Sequence, residues 1–227
     1  MSVEIISVHF PKGGGSSVFQ SLVTAYGKDA VCCDYIDDPA DPCSHYSLDP
    51  EGCRRKARDA GCAPGVKVIH GHFHPSKYDF IAHAKRITFL RHPVDNLISI
   101  YFYWKTCEKG NCLFNHFRDN QLTLLDLPRL PAIRYLLSRT FFGDVDMNRF
   151  DFIGFMESYS ADIRALSRLL SLPVFESNEN FNRYSNYQEE REAIKSDNRL
   201  MSMLHDDLAE DIKFYERIKA SRTCNLE

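Results

Sequence analysis

Three short stretches of the chain concentrate groups that bind oxyanions or move protons. Lys12-Gly13-Gly14-Gly15-Ser16-Ser17 follows an apolar run and precedes a segment with helical spacing. Glycines in such a turn let backbone N–H groups close on one anion at a helix N-terminus. Lys12 adds a mobile cation, and Ser16 and Ser17 add hydroxyl donors or a helix cap. The second stretch runs from Arg91, at the end of another apolar run, through Pro93 to Ser99. A helix opened by Pro93 carries Ser99 about two turns beyond Arg91, so that a guanidinium fork and a hydroxyl are placed to converge on one phosphate. The third is His70-Gly71-His72-Phe73-His74. An imidazole at a strand end, titrating near neutral pH, is suited to accept a hydroxyl proton.

The elements that must position these groups follow from periodicity. Residues 3–10 (VEIISVHF) read as a strand, the glycine-rich run as a turn, and VFQSLVTAY as a helix. Residues 30–36 predict a second strand, 66–70 a third, 86–90 a fourth and 151–155 a last one. Helices are expected over 94–105 and 158–170, with one or two mixed-charge helices over 188–220. The stretch 113–142 reads as helical, broken near Pro128 and Pro131. Strands alternating with helices predict an α/β fold, a three-layer parallel sheet flanked by helices. The expectation is a single domain over 1–227 with an irregular insertion around 37–65, rich in Pro, Asp, Cys and Gly and holding one short helix over 54–60.

Composition narrows the chemistry further. Twenty-eight basic against 31 acidic residues give a net charge of −3, which speaks against general nucleic-acid binding and confines any phosphate chemistry to a local pocket. No apolar run is long enough to span a bilayer, and a cytoplasmic chain with reduced thiols is expected. The glycine loop departs from G-x-x-x-x-G-K-[ST] because its lysine precedes the glycines, which disfavours a nucleoside triphosphatase.

Three blocks, taken in order, resemble the sulfotransferases that use 3′-phosphoadenosine 5′-phosphosulfate (PAPS), particularly the carbohydrate-type, family 2-like branch. His9 through Ser17 looks like the loop around the donor's 5′-phosphosulfate, Ile87 through Ser99 like the 3′-phosphate site, and Phe150 through Glu157 like a later structural block. Asp211 and Tyr215 resemble positions of the family's closing helix. The resemblance implies a P-loop-like fold and transfer of a sulfuryl group, without metal, to a hydroxyl acceptor such as a carbohydrate. It implies Lys12, Gly13, Gly14, Gly15, Ser16, Ser17, Arg91, Ser99 and Arg183 as donor-binding residues, with Asn182, Tyr184 and Tyr187 near the adenine or 3′-phosphate. Lys12 would stabilise the leaving oxygen and His72 would be the base. His70 and His74 compete for that role, as do Asp34 and Asp37. His92, Asn96 and Gly13 depart from residues common in the family.

Two other classes remain open: a nucleotide-dependent phosphotransferase requiring Mg²⁺, and a non-catalytic nucleotide- or glycan-binding module. The cysteines at 32, 33, 43, 53 and 62 lack paired C-x2-C knuckles, and Cys107 with Cys112 is a single C-x4-C pair, so no metal site is expected. Cys43, Cys53 and Cys62 are the candidates for disulfides in an oxidising setting.

Overall fold

The computed structural model describes residues 3–172 and 184–223. In chain order these form β1 (Ile5–Val8), α1 (Gly15–Tyr26), β2 (Val31–Asp34), α2 (His45–Leu48), α3 (Pro50–Ala60), β3 (Val68–Gly71) and β4 (Lys85–Leu90). There follow α4 (Pro93–Thr106), α5 (Cys112–Asp119), α6 (Pro131–Arg134), β5 (Phe152–Phe155), α7 (Tyr159–Leu170), α8 (Tyr187–Ser196), α9 (Asn198–Asp207) and α10 (Ala209–Thr223). Two compact units result. One comprises Met1–Pro39, Ser44–Arg91 and Val145–Phe181, the other Ala40–Cys43, His92–Asp144 and Asn182–Glu227.

The first unit holds a five-stranded sheet in the order β2-β3-β1-β4-β5, with every neighbouring pair parallel. The α/β expectation therefore holds. All four residues of β1 and of β3 are buried, as parallel strands covered on both faces require. Ile5, Val68 and Ile87 pack with Val18 and Leu22 of α1 and with Ile163 and Leu166 of α7. Each such side chain contributes about 1.5–3 kcal/mol by leaving water. Register pairs Val8 with Gly71 on one side and with Thr88 on the other. The carboxyl ends of β3, β1 and β4 consequently lie side by side, the edge at which open α/β sheets bind ligands.

Within 37–65 the helix is longer than the 54–60 segment read from composition. Asp49 accepts a hydrogen bond from Gly52 N–H at 2.8 Å and Pro50 opens α3, a cap and a first-turn proline acting together. The second unit is helical. Phe102 of α4 packs with Phe117, Leu127 and Leu204, and Tyr101 and Trp104 join the same cluster, whereas Tyr103 is 47% exposed. The tail forms three helices, since Asp197 caps α9 by accepting from Leu200 N–H at 2.9 Å. Asp211, 2% exposed, accepts from Leu137 and Ser138 N–H at 2.8 Å each and so satisfies the wide turn at Leu136–Phe141. Tyr215 is fully buried. Among the described residues no helix is long and apolar enough to cross a membrane.

Candidate active site

The turn after β1 is built by close approach. Gly14 has φ +81°, and a Cβ there would lie 2.5 Å from the Met156 sulfur; a Cβ on Gly15 would lie 1.9 Å from His9 Cδ2. Neither position accepts a side chain without displacing its neighbour. Lys12 has φ +58°, a left-handed conformation that costs a non-glycine residue about 1 kcal/mol and concentrates at functional sites. With glycine as the N-cap of α1 and no acidic residue in its first turn, no carboxylate of that turn offsets the positive helix end. Ser16 is exposed and Ser17 is buried.

Arg91 follows the last residue of β4 and is half-buried. Among the described residues no carboxylate pairs with it, and a half-buried guanidinium without a counter-ion is suited to an anionic ligand. Lys12 and Arg91 thus leave the same edge of adjacent strands. Ser99 lies in α4 of the helical unit and is buried. Arg183 and Asn182 lie outside the described residues. Tyr184 hydroxyl donates to Glu190 at 2.6 Å and accepts from Lys105 at 2.8 Å, while Tyr184 and Tyr187 both lie against the ring of Phe102.

The histidine run divides into distinct roles. His72 Nδ1 is 3.1 Å from Asp38 Oδ2. A carboxylate at Nδ1 fixes the tautomer with hydrogen there and the lone pair on Nε2, the arrangement a general base needs. His74 stacks on Tyr46 at 4.9 Å, and its Nδ1 accepts from Ser76 N–H, a capping role. Asp34 and Asp37 are engaged elsewhere. Lys77 Nζ lies 2.6 Å from Asp34 and 2.5 Å from Asp37, and Tyr78 hydroxyl donates to Asp34 at 2.8 Å. The carboxylate that meets the histidine is instead Asp38, adjacent in sequence to the pair read as candidates.

The sequence does not mark His9 as a proton-transfer residue, yet its ring centroid is 4.6 Å from that of His72 and 5.2 Å from that of His70. Its Nδ1 is 3.1 Å from Tyr35 hydroxyl. Burial, and then the neighbouring imidazoles and Lys12, hold His9 well below its ordinary pKa. The only sequence signal for this grouping is that residues 9 and 72 each follow a strand. Both side chains stand at the carboxyl edge that also carries Lys12.

His70 is fully buried, with Nδ1 2.9 Å from Ser7 Oγ. Burial, with His72 adding to it, pushes its pKa down from 6.5 to about 3. The folded state therefore keeps His70 neutral, while the unfolded chain takes up a proton below 6.5. Stability from this group is present above pH 6.5 and is lost as pH falls toward 3. Denaturant unfolding at pH 7 and pH 5 should show the chain losing about 2 kcal/mol more than a His70→Asn variant; equal losses would reject this linkage.

No family model matches the sequence, and no curated protein matches it. Among solved structures, a sulfotransferase from Alicyclobacillus acidocaldarius is 14% identical with a TM-score of 0.39, covering 92% of this chain and 97% of that one. Mouse sulfotransferase SULT7A1 complexed with PAP is 13% identical with a TM-score of 0.39, covering 77% of this chain and 60% of its own. A retinol dehydratase in complex with androsterone and inactive cofactor PAP is 13% identical with a TM-score of 0.41, covering 90% of this chain and 80% of that one. At such identities and TM-scores the chain's own residues carry the functional conclusion.

Proposed function

We propose that this chain is a sulfotransferase that moves a sulfuryl group from PAPS to a hydroxyl acceptor. The observation that carries the proposal is one sheet edge presenting three groups: the strained Lys12 loop, Arg91, which no described carboxylate pairs, and the Asp38–His72 pair. The donor fits these residues: a loop closed to side chains at Gly14 and Gly15 suits one phosphate, and Arg91 suits a second. Ser99 and Arg183 complete the donor set through the sequence resemblance alone. When bound, PAPS supplies the activated sulfuryl group. Lys12 and the loop N–H groups stabilise charge on the departing phosphate oxygen, by analogy with phosphoryl transfer. His72 takes the acceptor's proton at Nε2, and Asp38 steadies the imidazole that becomes charged. A carbohydrate acceptor rests on the resemblance. A reducing, cytoplasmic setting belongs to the same proposal and rests on the sequence reading.

Calorimetry with 3′-phosphoadenosine 5′-phosphate (PAP), ADP and ATP, with chelator present, tests the donor assignment. PAP is expected to bind at least tenfold more tightly than either. Equal affinities, or binding only with Mg²⁺, would favour a phosphotransferase and overturn the proposal. Retained PAP binding without transfer to any hydroxyl acceptor would favour a binding module. Arg91→Ala is expected to weaken PAP about 10- to 100-fold, the range for losing a charge-assisted hydrogen-bond donor. Its kcat at saturating PAPS should change less than threefold; unchanged PAP affinity would remove Arg91 from the donor site.

A further inference from the structure

We propose that Asp41, Cys43 and Cys112 form a binding site for a thiophilic divalent cation of the zinc class, separate from the catalytic residues assigned above. One carboxylate oxygen and two sulfurs of these residues lie within 4.8 Å of one another. All three belong to the helical unit, although 71 positions separate Asp41 from Cys112. Cys112 is the first residue of α5, and its thiol donates to Asp41 Oδ1 at 3.0 Å. Cys43 N–H donates to the same oxygen at 2.9 Å. The carboxylate is thus held between the two cysteines before any ion arrives.

Charge and donor chemistry select the occupant. Among the described residues no Lys or Arg pairs with Asp41, so its negative charge is open to a cation. The comparable cluster Asp37, His45 and Cys53 differs, because the Lys77 ammonium already sits 2.5 Å from Asp37. Zn–S bonds of about 2.3 Å and Zn–O bonds of about 2.0–2.2 Å place tetrahedral donors about 3.5–3.8 Å apart, so the three donors reach one ion with shifts of about 1 Å or less. Two sulfurs favour zinc over Mg²⁺ or Ca²⁺, which take oxygen donors. On binding, each thiol releases one proton and each sulfur donates a lone pair; two protons leave, no electron is transferred, and water completes the fourth position. The ion would clamp the 40–43 segment to the start of α5 and add its binding energy to folding.

The test uses the full chain, reduced and freed of metal by a chelator, titrated with Cd²⁺ and then competed with Zn²⁺. Cadmium–thiolate bonds give an ultraviolet charge-transfer band. One ion per chain is expected, with Cys43→Ser and Cys112→Ser each halving the band and weakening affinity at least tenfold, while Cys62→Ser changes neither. Zn²⁺ should raise the Tm of the parent chain and leave that of Cys43→Ser unchanged. Cys43 is exposed, so this variant keeps its fold, which far-ultraviolet circular dichroism checks. Absence of a band, its survival in the Cys43→Ser/Cys112→Ser double variant, or its loss in Cys53→Ser alone overturns the proposal.

Discussion

Lys12→Ala is expected to lower kcat about 10²- to 10³-fold while PAP affinity changes only a few-fold, the scale seen when one preorganised donor to a developing oxyanion is removed. Two features of the loop set this expectation. Lys12 holds a left-handed backbone at φ +58°, one residue before the glycines whose close approach shapes the turn. Its charge also helps lower the pKa of His9, whose ring stands against that of His72. The strain gives a second, opposed signature. Lys12→Gly should relieve about 1 kcal/mol and raise Tm by a few degrees while abolishing the same catalytic contribution. A Lys12→Ala enzyme retaining more than half the parental kcat, measured by sulfuryl transfer from labelled PAPS, would remove Lys12 from the chemistry.

His72→Ala is expected to reduce kcat about 10²- to 10⁴-fold with PAP binding intact, the range for loss of a general base. In the proposed reaction Asp38 would act through His72, which it meets at 3.1 Å, as a positioning residue with a smaller expected effect. Asp38→Asn should lower kcat about 10- to 100-fold at constant acceptor KM, because the amide can donate to Nδ1 and turn the imidazole to the wrong tautomer. Asp38→Glu, which restores an acceptor, should recover most of that loss. If His72→Ala keeps parental turnover, the base lies elsewhere. Asp34 and Asp37 would be poor substitutes, since Lys77 and Tyr78 already occupy them.

Local chemistry made much of the framework legible. An apolar run leading into Lys-Gly-Gly-Gly-Ser-Ser has few ways to turn, because left-handed backbone and close contact are demanded within a few residues. The strand-end placement of Arg91 and of the histidine run was legible for the same reason, since strand ends are marked by composition. The tail was less so: the break between α8 and α9 depends on Asp197 capping Leu200, a signal easily lost in a mixed-charge run.

The sequence by itself determined the alternation of strands and helices and the glycine-rich turn after β1. Only the tertiary structure decided which charges meet. The order β2-β3-β1 lets Asp38, just beyond β2, reach His72 across 34 positions and brings His9 against His72 and His70. It also commits Asp34 and Asp37 to Lys77, and the fold of the helical unit joins Cys43 to Cys112 where spacing had paired Cys112 with Cys107. Spacing reports neighbours along one strand or helix, whereas a proton, a salt bridge or a metal ion responds to distance through space, which only the packing of remote elements sets.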